Sequence, residues 1–151
     1  MKTFDAIVIG AGQAGPSLAA RMVETGMKVA LIERKFLGGT CVNAGCMPTK
    51  TLVASARAAH VARSGAAYGV KIPGEIAVDM KVVRARAEKV TMDARNGLID
   101  WLGGMDGISI IYGHARFESP HTVSVNGETL TAPRIFLNVG AARRSRPAGH
   151  Q

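Results

Sequence analysis

Long apolar runs are missing from this sequence. None approaches the ~20 residues that a membrane-spanning helix requires. The apolar start of the chain, residues 6–9, is followed at once by glycines and is too short for a signal peptide. We therefore expect a cytoplasmic protein that does not associate with a membrane.

Aromatic residues are also scarce. They make up 5% of the chain, with one Trp and two Tyr, so few side chains could stack on nucleic-acid bases. The net charge of +8 permits anionic partners. However, the basic residues are scattered apart from Arg143, Arg144 and Arg146, and no recognisable nucleic-acid-binding motif accompanies them. We predict no nucleic-acid partner.

The chain has only two cysteines, Cys41 and Cys46. In a reducing compartment such a pair is more typical of catalysis or metal binding than of a structural cross-link. A structural zinc site needs four ligands, and His60 lies a full helix away, so we predict no metal site. Two unrelated buried cysteines, behaving as small apolar side chains, are the other alternative to a redox pair.

The composition favours a compact α/β domain. A hydrophobic content of 47% with 20% charged residues is typical of a globular chain rather than a disordered one. A length of 151 residues is enough to bury one core. Eighteen glycines suit an α/β fold with tight phosphate-binding turns.

The first 33 residues predict a complete β-α-β unit around a G-x-G-x-x-G motif. Residues 4–9 indicate a buried parallel strand, residues 15–25 a helix, and residues 28–32 a second strand ending at Glu33. In such a unit the first glycine permits a tight turn, the second lets the backbone approach a pyrophosphate, and the third allows close helix packing. The predicted dinucleotide contacts in this turn are Gly10, Gly12, Gln13, Ala14 and Gly15.

Glu33 is the predicted ribose ligand, because a carboxylate at the end of the second strand can accept hydrogen bonds from both ribose hydroxyls. Taken alone, a glycine-rich turn could serve packing only. With strand, helix and acidic residue in register, dinucleotide binding is the favoured interpretation. The motif by itself does not choose between FAD and NAD(P).

The cysteine segment directly follows this unit. Pro48 suits the first turn of a helix that we predict to run to about Arg63, which places Cys46 at or just before the helix N-terminus. There the helix dipole and free backbone N–H groups stabilise a thiolate. Lys50, four residues after Cys46, could return to the same helix face.

A disulfide between the two cysteines requires an irregular backbone. On an ideal helix a five-residue separation is a rise of roughly 7.5 Å, whereas a disulfide needs Cα atoms within about 6.8 Å. The link must therefore distort, and Asn43 and Gly45 tolerate unusual φ and ψ. We expect such a strained, accessible disulfide to be reduced more easily than a structural one.

Residues 38–50, Gly-Gly-Thr-Cys-Val-Asn-Ala-Gly-Cys-Met-Pro-Thr-Lys, resemble the active-site signature of the FAD-dependent pyridine nucleotide–disulfide oxidoreductases. That family includes glutathione reductase, dihydrolipoyl dehydrogenase and mercuric reductase. The order of fingerprint, Glu33 and cysteine motif is also similar to theirs. The resemblance implies a Rossmann-like FAD-binding domain with FAD at the first fingerprint and NAD(P)H as co-substrate.

The resemblance also implies roles for individual residues. Cys41 would be the interchange thiol that attacks a disulfide substrate or binds a metal ion, and Cys46 the charge-transfer thiol over the flavin. Lys50 would lie near the flavin N5. Gly39 and Thr40 would contact the ribityl and pyrophosphate region of FAD.

The remaining sequence predicts a long helix over residues 78–102, a strand over 108–111 and a further strand over 134–139 closed by Gly140. The helix's predicted core residues are Val82, Val83, Ala87, Val90, Ala94, Leu98, Trp101 and Leu102. Asn126-Gly127 predicts a hairpin between residues 122–125 and 128–132, because both turn residues tolerate positive φ. The resemblance implies a backbone contact with adenine near Ala115, and a cofactor contact at Gly140.

We assign residues 1–142 to the N-terminal part of a truncated FAD-binding domain and residues 143–151 to a divergent basic tail, interpreted as a truncated or out-of-frame end. The resemblance implies electron flow from NAD(P)H through FAD and Cys41–Cys46 to a disulfide or Hg(II), in a full-length homodimer. The run Pro-Thr-Lys-Thr-Leu-Val-Ala-Ser-Ala resembles mercuric reductase-like proteins most. A dihydrolipoyl dehydrogenase-type fragment, an inactive FAD-binding module and a gene remnant are the alternatives.

Overall fold

The computed structural model describes residues 1–141, and the predicted tail at 143–151 lies outside them. The strands are β1 (Lys2–Thr3), β2 (Ala6–Ile9), β3 (Val29–Glu33), β4 (Ile108–Tyr112), β5 (Arg116–Ser119), β6 (Thr122–Val125), β7 (Glu128–Thr131) and β8 (Ile135–Leu137). The helices are α1 (Ala14–Glu24), α2 (Gly39–Asn43), α3 (Cys46–Ser64) and α4 (Met80–Gly103), and a 3-10 turn (Gly65–Tyr68) follows α3.

A four-stranded parallel sheet forms the centre, in the order β4-β3-β2-β8. Its two central strands are buried on both faces, as expected for near-continuous apolar sequence in a parallel sheet. Helix α1 is the crossover between β2 and β3, so the predicted β-α-β unit is confirmed. The carboxyl ends of β2 and β3 meet at one edge, where the glycine-rich turn and Glu33 lie.

Apolar side chains pack on both faces of this sheet. Val8 and Leu31 belong to a core that includes Ala19 of α1 and Leu102 of α4. On the opposite face, Ile7 packs in a second core with residues of β6 and β7. The result is a three-layer arrangement of helices, parallel sheet and a second, smaller sheet, which confirms the predicted Rossmann-like α/β fold.

The second sheet has the order β1-β7-β6-β5, with antiparallel pairing of β5, β6 and β7. Asn126 and Gly127 both have positive φ, 51° and 79°, which confirms the predicted hairpin. The Asn126 side chain also donates a hydrogen bond to the backbone oxygen of Tyr112 at 2.7 Å. That bond fixes the hairpin beside the end of β4.

Two predicted strands differ from the structure. Residues 4–9 are not one strand, because Phe4 donates its backbone N–H to Thr131 in the second sheet while Asp5 accepts from the backbone N–H of Lys28. The chain therefore crosses between the sheets before β2 begins. The last predicted strand, 134–139, is shorter and only partly buried. β8 is an edge strand in which Ile135 and Phe136 pack against the two cores, whereas Leu137 is 64% exposed.

Helix α4 begins as predicted but only part of its predicted face is core. The Asp79 side chain accepts hydrogen bonds from the backbone N–H groups of Lys81 and Val82, which defines the N-cap. Val82 and Trp101, predicted as core, are 63% and 46% exposed. The helix packs largely against α3, and its fully buried residues are Ala87, Thr91 and Leu102. Its buried face is therefore narrower than its apolar periodicity indicates.

Candidate functional site

Two glycines of the G-x-G-x-x-G turn are required by packing within the protein. Gly10 has φ of +101°, and a Cβ there would lie 2.2 Å from the backbone oxygen of Asn138. A Cβ at Gly15 would lie 2.2 Å from the backbone oxygen of Gly10. The turn, the start of α1 and the end of β8 therefore approach as closely as backbone permits.

Gly12 differs from its neighbours. A Cβ there would come no nearer than 3.4 Å to a protein atom, the Nδ2 of Asn138, and its φ lies outside the left-handed region. Protein packing alone therefore does not demand glycine at this position. The space in front of Gly12 fits the close approach of a bound phosphate group, which is the chemistry predicted for it.

The Glu33 carboxylate is held by two backbone groups. Its Oε2 accepts from the N–H of Ala11 at 2.9 Å and its Oε1 from the N–H of Lys35 at 2.7 Å. Each carboxylate oxygen keeps acceptor capacity after one such bond. The side chain is half-buried and fixed at the end of β3, so it can accept hydrogen bonds from the ribose hydroxyls of an adenine nucleotide.

These residues border one cleft of about 630 Å³ at the carboxyl ends of the parallel strands. A volume of this size is usual for cofactor sites. Its lining consists of Ile9, Gly10, Gly12, Gln13, Ile32, Glu33, Arg34, Gly39, Thr40, Cys41, Gly113, His114, Ala115, Asn138, Val139 and Gly140.

The cleft brings together most of the predicted cofactor contacts, from the glycine turn, the cysteine segment and the strand ends near Ala115 and Gly140. Ala14 and Gly15 stand in the first turn of α1 and are not in its lining. Asn138, which the sequence did not single out, lines the cleft and donates to the backbone oxygen of Gly10 at 3.3 Å. Its only sequence signal is its place before the glycine that ends the last strand.

The two cysteines stand on separate helices. Cys41 lies in the five-residue helix α2, and Cys46 is the first residue of α3. The predicted backbone irregularity falls between them, with Ala44 at φ −146° and Gly45 at φ −119° and ψ −105°. Asn43, predicted to share that role, is helical instead and acts through its side chain.

Both cysteines are free thiols in this structure, which is the reduced form of the predicted pair. They are neighbours: hydrogen bonding with the Cys46 side chain, followed by desolvation and the Cys46 charge, raises the pKa of Cys41 above its ordinary value. The backbone of Cys46 and the Lys50 ammonium lower the pKa of Cys41 by less. Cys41 faces the cleft, whereas Cys46 and Lys50 are exposed and lie outside its lining.

The loop before Cys41 is organised by Asn43. Its Nδ2 donates to the backbone oxygens of Leu37 at 2.9 Å and Gly39 at 2.8 Å. Its Oδ1 accepts from Nε of Arg95 at 2.7 Å. No local motif marks Arg95 as part of this site, because it comes from α4, 52 residues along the chain.

Within the described part of the chain, no three His, Cys, Asp or Glu residues cluster as a metal site would require. No helix among the same residues combines the length and apolar character needed to cross a bilayer.

Comparison with known proteins gives a consistent result. Residues 4–150 match the family described as pyridine nucleotide-disulphide oxidoreductase. Dihydrolipoyl dehydrogenase of Thermus scotoductus is 36% identical over 141 residues, which cover 93% of this chain and 30% of that protein. Mercuric reductase of Lysinibacillus sphaericus is also 36% identical, over 140 residues that cover 92% of this chain and 25% of that protein.

Among solved structures, the Cu(II) complex of the HOCl-induced flavoprotein disulfide reductase RclA from Escherichia coli superposes with a TM-score of 0.78. It is 32% identical, and the match covers 97% of this chain and 31% of that protein. The chain thus spans about a quarter to a third of the length of these relatives.

Proposed function

Because the chain belongs to the pyridine nucleotide-disulphide oxidoreductase family, we propose that it is the FAD-binding and redox-disulfide segment of a flavoprotein that moves electrons from NAD(P)H to a sulfur-reactive substrate. One observation carries the proposal. The cleft that is bordered by the glycine turn and Glu33 is also lined by Cys41. A dinucleotide seated in this cleft would therefore lie against a thiol.

The residues present fit FAD. Gly12 leaves space for the pyrophosphate, and the N-terminus of α1 favours its charge. Glu33 would hold the ribose, and the backbone at Ala115 would meet the adenine. When bound, the flavin would supply two-electron exchange between NAD(P)H and the cysteine pair.

The cysteine pair would carry those electrons by thiol–disulfide exchange. One thiolate attacks a substrate disulfide and releases a thiol; the second thiol then attacks the resulting mixed disulfide and releases the other. The pair loses two electrons and two protons as Cys41–Cys46 closes, and the substrate gains both as two thiols. Lys50 favours the thiolate on Cys41. The irregular backbone at Ala44 and Gly45 would let α2 and α3 bring the two sulfurs together.

We propose a disulfide or Hg(II) as the substrate, since a neighbouring thiol pair reacts with either. The sequence after Cys46 favours a mercuric reductase-like protein, whereas the equally identical dihydrolipoyl dehydrogenase relative favours a disulfide. Because the relatives are three to four times as long as the matched region, we propose that NAD(P)H binding and homodimer contacts belong to their other parts. A cytoplasmic location would keep the pair reducible.

A second candidate is an FAD-binding module without turnover, favoured by the position of Cys46 and Lys50 outside the lining of the cleft. The visible absorption spectrum of the FAD-loaded protein, reduced anaerobically with dithiothreitol, separates the two. A new long-wavelength charge-transfer band that is lost in Cys46→Ser would support the first, and bound FAD without that band the second.

The test of the shared proposal is calorimetric titration of this protein with FAD, with NAD⁺ as the comparison ligand. We expect saturable binding of FAD at a 1:1 ratio and weaker binding of NAD⁺. A folded protein, judged by circular dichroism, that binds neither would contradict the proposal.

A further inference from the structure

Arg95 reaches the cysteine segment from α4 and makes two contacts there. Its Nε donates to Oδ1 of Asn43 at 2.7 Å. Its guanidinium carbon lies 4.1 Å from the centroid of the Phe36 ring, a cation–π distance. The half-buried arginine therefore touches both ends of residues 36–43, the segment that carries Cys41.

The Asn43 amide links Arg95 to the backbone before Cys41. Its two N–H groups donate to the backbone oxygens of Leu37 and Gly39, and its oxygen accepts from Arg95. Only this orientation serves all three partners, because a flipped amide would turn N–H groups toward the arginine and its oxygen toward two acceptors. Arg95 thus stabilises the same orientation of the amide as the two backbone oxygens do.

The contacts of Arg95 are stronger than those of an ordinary surface arginine. A hydrogen bond from a charged guanidinium to an amide oxygen is worth more than one between neutral groups. The Phe36 ring face is a second partner of the guanidinium, through a cation–π contact. By contrast, Arg84 on the same helix has a side chain that is 82% exposed, and its hydrogen-bond partner among residues 1–141 is Glu88 one turn away.

We propose that Arg95 is a positioning residue for the Cys41–Cys46 pair. Through Asn43 it holds α2 in the orientation that keeps the Cys41 sulfur beside Cys46. The inference rests on the redox role proposed above for the pair, but it concerns the thiols alone and requires no bound cofactor.

The consequence is measurable in the exchange with glutathione. The two protein thiols give two electrons and two protons to oxidised glutathione, which becomes two reduced molecules while the Cys41–Cys46 disulfide forms. The equilibrium constant rises with the preorganisation of the two sulfurs. Without Arg95 the Asn43 amide loses one of its three hydrogen bonds. We expect this constant to fall about tenfold, as for the loss of one charge-assisted hydrogen bond.

The test compares wild type, Arg95→Ala and the matched control Arg84→Ala. Each protein is equilibrated anaerobically in glutathione buffers, quenched with an alkylating agent and assayed for disulfide by mass spectrometry. We expect the tenfold fall in Arg95→Ala and a change of less than about twofold in Arg84→Ala, which removes only an exposed ion pair. Asn43→Ala also removes the bonds to Leu37 and Gly39, so it should show at least this fall. The double variant should fall no further than Asn43→Ala, because the Arg95 bond is already lost there.

The outcomes separate this inference from the proposed function. A wild-type equilibrium in Arg95→Ala would overturn the positioning role and leave the redox role standing. A wild-type protein that forms no Cys41–Cys46 disulfide at any glutathione ratio would overturn both. If circular dichroism shows that Arg95→Ala is unfolded, Asn43→Ala becomes the deciding variant. A wild-type equilibrium in Asn43→Ala would then overturn the positioning role.

Discussion

The Oε2 of Glu33 accepts a hydrogen bond from the backbone N–H of Ala11 at 2.9 Å. This bond joins the end of β3 to the glycine-rich turn across 22 residues of sequence. The carboxylate is therefore oriented by the protein itself, before any contact with the ribose that we propose for it. Preorganisation of this kind lowers the entropic cost of binding, because the side chain is already ordered.

Glu33→Gln should weaken FAD binding about tenfold or more. A glutamine offers one acceptor oxygen where the two backbone N–H groups and the ribose hydroxyls need two, and hydrogen bonds to a charged group contribute about 1.5–3 kcal/mol. Calorimetric titration measures the change. Glu128→Gln is the matched control, since Glu128 is an exposed residue paired with Lys2 on the second sheet. Equal affinities in the two variants would refute the ribose role.

Gly12→Ala and Gly10→Ala should fail in different ways. The methyl group at residue 12 has space within the protein, so we expect a folded variant that loses FAD binding. The methyl group at residue 10 would collide with the Asn138 backbone at a left-handed φ, so we expect lost stability of at least ~3 kcal/mol. Urea unfolding and FAD titration of both variants check this. A Gly12→Ala protein with undiminished FAD affinity would show that its backbone does not meet the pyrophosphate.

Cys46→Ala should make Cys41 more reactive at pH values below 9.0, the ordinary pKa of a cysteine thiol. Cys46 raises the pKa of Cys41 more than the Lys50 ammonium lowers it, so removing the Cys46 thiol lowers that pKa. At about pH 8 a larger fraction of Cys41 is then thiolate, the form that is alkylated. Iodoacetamide rates at Cys41, measured by peptide mass spectrometry across pH, should show a midpoint shifted to lower pH.

Lys50→Ala should shift the pKa of Cys41 in the opposite direction, measured in the same way. Loss of the ammonium removes an influence that lowers the pKa of Cys41, so the midpoint should move to higher pH and alkylation at about pH 8 should slow. Midpoints that move in the same direction in both variants would contradict this account of the pair.

Asp79→Ala should cost about 1 kcal/mol of stability. Its Oδ1 accepts from the N–H groups of Lys81 at 2.8 Å and Val82 at 3.2 Å, and capping bonds of this kind contribute about that amount. Urea unfolding gives the free energy. Asp79→Asn keeps an acceptor oxygen and should lose less, so a loss as large as that of the alanine variant would argue for charge rather than capping.

Features decided by neighbouring residues could be predicted from the sequence. The β-α-β unit followed from apolar runs and glycines, and the hairpin from Asn126-Gly127, where residue type alone permits positive φ. The start of α3 at Cys46 followed from Pro48 two residues later. Each of these depends on a few consecutive residues.

Features decided by distant residues could not be predicted. β1 pairs with β7, placing Lys2 opposite Leu130, and nothing local to either strand indicates this. Periodicity showed that α4 is amphipathic but not how wide its buried face is, so Val82 was misassigned. In the candidate site, Asn138 and Arg95 were missed because each acts across the fold on a segment that has its own recognisable motif.

The close approach of Gly10, Gly15 and Asn138 also limits how this sequence can drift. A side chain at residue 10 would meet the main chain of residue 138, and one at residue 15 the main chain of residue 10, so no change of side chain at one position can compensate for another. Of these three residues, only Asn138 can be replaced without moving the backbone. During evolution the lining of the cleft can therefore change at residue 138, whereas residues 10 and 15 must stay glycine while the fold is kept.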